Sequence, residues 1–418
     1  AFVQQGDLWS YHVENNKLVR IFSFRDTGSN DERNDYSQHD IKIVRVSKNG
    51  DVDFILYGYM NRGDHEGQVG TAVYHYSAEK NVIEEKFFLT STKSFEFLKQ
   101  EVGEFAYASK DGKLYLLISD TLYCFNMEDK SYTAIQEGMD REYFYVSESG
   151  RYAAWMEGMN PYDAEHLILM DLETGEQEKI SGESGSKIRL CGFINNDMVY
   201  GLAKNEDILG TESQPQFGMY EVRIQDNKGE VKKSYHQDGY YVTDVVFQDN
   251  LIQLERARRE GDTYVPAGNE QILNNVRDKE DETFSVVMLT TERQANITGI
   301  QFASADVKEP LTVGAKFMET TRDHVLTMET QETGEDAYYV YALGKLWGIY
   351  ENAAEAVKAA DENMGVVLNQ NQQYLWERGN AKDQGEIALS DIPEAVKEGV
   401  TDIDALKEAV RNMGTVAD

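Results

Sequence analysis

Residues Tyr143–Ile180 read YFYVSESGRYAAWMEGMNPYDAEHLILMDLETGEQEKI. Four short runs rich in aromatic and aliphatic residues, YFYVS, RYAAWME, HLILMDL and QEKI, are separated by SESG, GMNPYDAE and ETGE. This spacing predicts a four-stranded antiparallel meander. Each reversal has its own turn chemistry: Gly150 ends the first connection, and Thr174-Gly175 supplies a residue able to take positive φ in the last hairpin. Copied around an axis, such a sheet builds a β-propeller.

The same pattern recurs on both sides. From Ile41 it runs IKIVRVSKNG, DVDFILYGYM, TAVYHYSAEKN, VIEEKFFLT, with Asn61–Gly70 lengthening the middle connection. The next copy is compact: EFAYASKDG, KLYLLISD, TLYCFNMEDK, SYTAI. Its Lys110-Asp111-Gly112 and Glu128-Asp129-Lys130 turns fall where the 143–180 unit has Glu148-Ser149-Gly150 and Glu173-Thr174-Gly175. A fourth unit, IRLCGFINND, MVYGLAKNED, FGMYEVRIQDNKG, EVKKSYHQ, carries a loop at Ile208–Gln216. A fifth is VTDVVFQDN and LIQLERARREG, then the insertion Gly261–Glu282, then TFSVVMLTTERQ and ANITGIQF. A weaker sixth is LTVGAKFMETTRD, HVLTMETQETG, DAYYVYALGK, LWGIYE.

The ends suggest how the ring closes. GDLWSYHVENNKLVRIFSF, Gly6–Phe24, is one hairpin about Asn15-Asn16, and two strands alone are marginal in water. Near the other end, NAAEAVKAADEN (Asn352–Asn363) switches to helical composition, and Gly365–Arg378 reads as two more strands. Pairing the first hairpin with Gly365–Arg378 would make a last blade and remove both exposed edges. The expected fold is therefore all-β: a seven-bladed β-propeller of four-stranded antiparallel blades over 1–380, with six or eight blades as alternatives. Residues 381–418 read as a short acidic, partly helical tail or linker, with DIPEAVKEG and DIDALKEAVRNMG beginning at helix-start aspartates.

Composition narrows the partners. The 418 residues carry 74 acidic against 41 basic side chains, a formal charge of −33, which repels nucleic acid and anionic lipid over most of the surface. No run of 18 apolar residues offers a membrane span. The chain begins at Ala1 rather than Met, which points to an upstream segment where an export signal or anchor would lie. Cys124 and Cys191 have no CxxC or Cys/His spacing and fall in non-neighbouring units, so neither zinc nor a disulfide is expected; they read as buried thiols.

Two resemblances follow from these residues. The 143–180 unit resembles the TolB-type, WD-like propeller repeat, with Ser147, Gly150, Trp155, Asp171, Thr174, Gly175 and Glu176 at its characteristic places. This implies a fold rather than an activity. The stretch Ala342–Asn380 is similar to the junction in extracytoplasmic proteins of anaerobic Gram-positive bacteria, where an anchored propeller precedes a papain-like cysteine peptidase-type domain. On that resemblance the nucleophilic cysteine would lie beyond Asp418.

Catalytic signatures are sparse. GESGS at Gly182–Ser186 lacks the GxSxG register, and the seven histidines show neither HxH nor HExxH spacing. The acids at Asp26–Asp35 and Asp64-His65-Glu66 do not fit a calcium loop. No catalytic, metal or cofactor residue is expected. The local exception is Arg256, Arg258 and Arg259, a positive knot on a strand, with Arg256 and Arg258 on one face and Arg259 on the other. Arginine forks suit carboxylates or phosphates, and the competing reading is pairing with local acids such as Glu255 and Glu260. Trp9, Trp155, Trp347 and Trp376 read as packing between blades.

The functional expectation is a non-catalytic, extracytoplasmic, cell-surface binding or scaffold propeller. It would present loops to a protein or glycan partner and position a downstream domain. The alternatives are a propeller lyase or glycosidase with a pocket at the ring axis, and a regulatory module of a cysteine peptidase.

Overall fold

A computed structural model describes residues 1–24, 38–158, 160, 162–182, 185–211, 214–248, 251–273, 284–290, 297–302, 309–317, 324–328, 337–369 and 373–377. The segment that opened the reading forms the expected meander: Phe144–Val146, Tyr152–Met156, His166–Asp171 and Gln177–Ser181 pair in that order. The Ser-x-x-Gly turn works through its serine. Ser147 N donates to Tyr152 O at 2.8 Å, Ser147 Oγ accepts from Tyr152 N at 3.1 Å, and Gly150 takes φ 72°. An L side chain rarely adopts that φ, so glycine is the residue the turn calls for. The turn recurs at Ser109–Gly112, where Ser109 Oγ accepts from Lys113 N at 3.1 Å. It recurs again at Ser47–Gly50, where Gly50 N donates to Ser47 O at 2.9 Å.

The last hairpin repeats as well. Asp171 accepts from Glu173 N at 2.9 Å, Asn126 from Glu128 N at 2.9 Å, and Asp226 from Lys228 N and Glu230 N at 2.9 Å each. A side-chain oxygen that caps the turn two residues on is what makes Asp and Asn turn formers.

Three other sheets are complete four-stranded antiparallel meanders or nearly so. The first is His39–Val46, Val52–Tyr59, Val69–Ser77, Val82–Thr90; the second is Ala106–Ala108, Lys113–Ile118, Thr121–Asn126, Tyr132–Gln136. The third is Ser186–Ile194, Asp197–Lys204, Glu221–Gln225, Val231–His236, whose expected loop is itself a small hairpin, Ile208–Thr211 with Gln214–Phe217.

Strand alternation decides how these sheets stack. Along Lys113–Ile118, Leu114 and Leu116 pack with Val73 and Phe87 of the 39–90 sheet, whereas Tyr115 and Leu117 pack with Ala153, Trp155 and Met170 of the 144–181 sheet. Successive side chains on a strand point to opposite faces, so one strand serves two neighbours. Leu167 and Leu169 then meet Leu190 and Leu202, and Val199 and Val222 meet Ile252 and Leu254. At the other end, Phe54 and Leu56 pack against Leu8, Ile21 and Phe22 of the N-terminal hairpin. Sheets follow one another in space in chain order, each buried face to face on the next. This is an all-β, propeller-type array of four-stranded antiparallel blades.

The ends depart from expectation. The hairpin Asp7–His12 with Lys17–Phe22 does not pair with Gly365–Arg378. Its edges are taken by Phe2–Gln4 on one side and, in parallel, by Leu311–Gly314 on the other. Val366–Leu368 and Tyr374–Glu377 join Tyr338–Ala342 and Lys345–Tyr350 in a separate sheet, so Trp9 and Trp376 belong to different sheets. Both strands of the N-terminal hairpin are already paired on both sides, so neither can accept Val366–Leu368 or Tyr374–Glu377 as a further partner.

The sixth unit is dispersed for the same reason. Leu311–Gly314 covers the N-terminal hairpin, while Lys316–Phe317 and Val325–Leu326 lie parallel to the outer strand Val82–Thr90. In the fifth unit, the insertion supplies blade strands: Thr263–Pro266 and Glu270–Leu273 both pair with Leu251–Glu260, and Phe284–Leu289 pairs with Ile297–Phe302 in a sheet of their own. The seven-blade count rested on that closure and on the sixth unit, and the observed pairing follows neither.

The helix expected at Asn352–Asn363 is present as Ala353–Glu362, with the Asn352 side chain accepting from Ala354 N. Its alanines pack in the cluster that holds Phe87 and Leu114, so the C-terminal sheet sits against the 39–90 and 106–136 blades. The tail 381–418 and the acidic run Asp26–Asp35 lie outside the described residues.

Candidate functional site

Two places gather polar chemistry. The first is the arginine knot, on the strand Leu251–Glu260. The faces are as alternation requires: Arg256 and Arg258 both lie over the Tyr240 ring, with Cζ 5.1 and 4.7 Å from its centroid. Arg259 turns the other way, to Asp207 Oδ1 at 3.0 Å and Glu206 O at 2.6 Å.

The carboxylate partners are not the sequence neighbours Glu255 and Glu260. Arg256 pairs with Glu270 at 3.2 Å and donates to Gly268 O and Gln237 Oε1, each at 2.9 Å. Arg259 therefore anchors the Asn205–Asp207 turn, to which Tyr264 also donates at Asp207 O, 2.8 Å. Arg258 differs. It is exposed, donates to the Tyr240 hydroxyl, and has no carboxylate partner among the described residues.

The second place has no signature in the sequence. A cavity of about 240 Å³ opens where the 39–90 and 106–136 blades meet the segment before the C-terminal sheet. Thr71, Leu89 and Thr90 come from the 39–90 blade, Ile118 from the 106–136 blade, Leu98 from the helix Phe95–Gln100, and Asn352 from the cap of the second helix.

At one wall Lys93 Nζ donates to Glu101 Oε1 at 2.6 Å and to Ser119 Oγ at 2.6 Å. Ser119 N donates to the same Glu101 oxygen at 3.0 Å, and Arg141 lies 3.7 Å from it. Arg141 itself is braced by Ser119 O at 2.7 Å and Gln100 O at 2.6 Å. The Glu101 side chain is only 7% exposed, and its other oxygen, Oε2, is buried without a hydrogen-bond partner. Lys93, Glu101, Ser119 and Arg141 are too widely spaced in sequence to form a motif.

Several other titratable groups among the described residues are engaged within the fold. His65 Nε2 is 2.8 Å from Glu85 Oε1 with its ring stacked on Phe88, which makes the Asp64-His65-Glu66 acids part of a blade connection. His75 and Arg45 both hold Asp53, at 2.6 Å each. Cys124 and Cys191 are free and half-buried rather than fully buried; burial pushes the Cys191 thiol up to about 12 and raises that of Cys124. Neither is a ready thiolate. Among the described residues, no group of three or more His, Cys, Asp or Glu is placed to hold a metal, and no helix is long and apolar enough to cross a membrane. Trp155 and Trp376 are buried as expected, but Trp347 is 42% exposed on an edge strand.

No protein-family model matches the sequence, and no curated protein sequence does. Among solved structures, the chain is similar to the β-propeller domain of the Trilobed protease from Pyrococcus furiosus, at 12% identity over 82% of this chain and 97% of that one, with a TM-score of 0.27. TolB from Acinetobacter baumannii matches at 10% identity over 63% and 77%, TM-score 0.23. Dipeptidyl peptidase 4 from Porphyromonas gingivalis matches at 10% identity over 72% of this chain, TM-score 0.26, and the match spans 57% of that protein's length. Scores this low leave the architecture resting on the sheets themselves.

Proposed function

We propose that the protein is a binding scaffold: a blade array that works outside the cytoplasm, offers Arg258 and Tyr240 to a carboxylate-bearing protein or glycan, and positions a further domain downstream. The observation that carries this reading is the state of Arg258. In a chain with 74 acidic side chains, an exposed guanidinium is readily captured by a neighbouring carboxylate, yet this one lies with its Cζ 4.7 Å from the Tyr240 ring centroid and donates to the Tyr240 hydroxyl. A planar fork already ordered by an aromatic face loses little freedom on meeting an acidic group. Arg256, which pairs with Glu270 and donates to Gly268 O, lies over the same ring with its Cζ 5.1 Å from the centroid.

Support for a role without chemistry of its own comes from the cysteines, whose thiols burial keeps protonated, and from the histidines His65 and His75, which are engaged by structural carboxylates. Acidic glycans and Glu-rich peptides arrayed against the wild type and Arg258→Glu test the proposal. A binder that is lost at least tenfold in Arg258→Glu supports it; equal binding by both proteins, or none by either, overturns it. Cell fractionation with an antibody against the chain tests the location.

A further inference from the structure

We propose that the apolar outer face of the C-terminal sheet is a docking surface for a segment of the same chain, residues 403–413, seated there as an amphipathic helix. This interaction is separate from the arginine ledge and does not depend on it.

Register defines the face. In the sheet of Tyr338–Ala342, Lys345–Tyr350, Val366–Leu368 and Tyr374–Glu377, the row Val340, Val367, Trp376 crosses three strands and packs in the cluster that holds the alanines of the helix Ala353–Glu362. The neighbouring row, Ile349, Tyr339, Leu368 and Tyr374, crosses all four strands. Directly opposed residues share a face and successive ones alternate, so this row looks away from the core. Leu346, Tyr341 and Val366 form a third row on the same outer side. Exposure agrees: Tyr341, Leu346, Ile349 and Tyr374 are 40–66% exposed, whereas Val340, Val367 and Trp376 are at most 2% exposed.

An antiparallel sheet with one face in water alternates apolar with polar residues, and strands buried on both faces read as continuous apolar runs. The strands YYVYA and VVL are of the second kind. Their sequence calls for a cover on the side that none of the described residues fills, and a contiguous bare apolar patch marks an interaction surface.

Three features single out residues 403–413 as that cover. The first is attachment. Tyr374–Glu377 is an edge strand of the sheet, and the chain leaves it directly into residues 378–418, which lie outside the described set. The four strands span about 14 Å at about 4.8 Å per spacing, and the stretch 378–402 is long enough to return across them. A tether of this kind makes docking intramolecular.

The second is pattern. Ile403, Leu406, Val410 and Met413 recur at helical spacing on one side, while Asp404, Lys407, Glu408 and Arg411 fall on the other. Asp402 stands at the helix start and Gly414 just past its end. The third is length: at about 1.5 Å per residue, a helix over 403–413 runs about 16 Å, close to the width of the sheet. A second copy is the rival occupant, and the net charge of −33 on each chain opposes it.

The test uses the full chain. The photoreactive residue p-benzoylphenylalanine replaces Tyr341, and the products are sized by denaturing electrophoresis and mapped by mass spectrometry. Crosslinks within one chain, from position 341 to residues 403–413, are expected. In the variant Leu406→Asp with Val410→Asp the yield is expected to fall at least about tenfold, because two carboxylates cannot be buried unpaired against the face. Binding of the apolar dye ANS should rise in the same variant made with Tyr341 intact. Glu408→Lys, on the charged side, should leave both readings as in the wild type. Crosslinks only between chains assign the face to a second copy and overturn the proposal, as do crosslinks that map elsewhere or fail to form. It is overturned equally if Leu406→Asp with Val410→Asp crosslinks as the wild type does, or if Glu408→Lys loses the crosslink to the same extent. Should the replacement at Tyr341 disturb folding, the dye decides: equal ANS binding by the wild type and the Leu406→Asp, Val410→Asp variant rules the docking out.

Discussion

Replacing Lys93 by Met tests whether the Glu101 cluster holds two blades and a helix together. The substitution removes an ammonium 2.6 Å from Glu101 Oε1 and leaves a side chain only 7% exposed with its charge. Breaking a buried pair by deleting one partner typically costs about 3–5 kcal/mol, because the remaining ion is stranded. Two features lower the figure here: Arg141 stays within 3.7 Å, and Lys93 is itself 22% exposed. A loss of about 2–3 kcal/mol is expected. In the double variant Lys93→Met with Glu101→Met most of that loss should return, since replacing a buried pair by apolar groups of similar volume is often neutral. Arg141 would keep its bonds to Ser119 O and Gln100 O.

The assay is urea unfolding, read as a shift in midpoint at constant slope. Hydrogen exchange at Ser119 gives a local check, because its amide donates to Glu101 Oε1 at 3.0 Å. The reasoning is refuted if Lys93→Met costs under about 0.5 kcal/mol, well short of what stranding a buried ion entails. It is refuted equally if the double variant is less stable than the single one.

Two further outcomes follow from the core. Trp155 is 3% exposed, but its indole Nε1 has no partner. Trp155→Ala should cost about 3–5 kcal/mol, whereas Trp155→Phe should stay within about 1 kcal/mol because it also removes an unpaired buried donor; equal losses in denaturant unfolding would contradict this. Burial pushes the Asp53 carboxyl up, but the hydrogen bond from His75 and the Arg45 guanidinium outweigh it and hold the group below the usual carboxylate range. Its folded value lies below its unfolded one, about 3.9. The stability it contributes is therefore complete well above that pH and is lost as pH falls through the folded value. Asp53→Asn should flatten the acid limb of the stability curve in that window, and an acid limb identical to the wild type's would rule the linkage out.

The sequence by itself determined the blades. Ser147-x-x-Gly150 and Asp171-x-x-x-Gly175 are local devices: a serine hydroxyl or a carboxylate bonding backbone a few residues away closes each turn whatever surrounds it. Alternation along Lys113–Ile118 likewise specified both buried faces before any neighbour was known. The arginine faces were legible for the same reason, since period two needs no tertiary information.

Only the tertiary structure decided the ends and the cavity. The choice between Gly365–Arg378 and Leu311–Gly314 as the partner of Lys17–Phe22 is a competition among distant edges, and every short strand offers the same backbone donors and acceptors. Carboxylate partners were equally hidden: Arg259 bonds Asp207 from the preceding blade instead of the adjacent Glu260. Lys93, Glu101, Ser119 and Arg141 become one cluster because two blades and a helix converge there, and no spacing along the chain encodes that convergence.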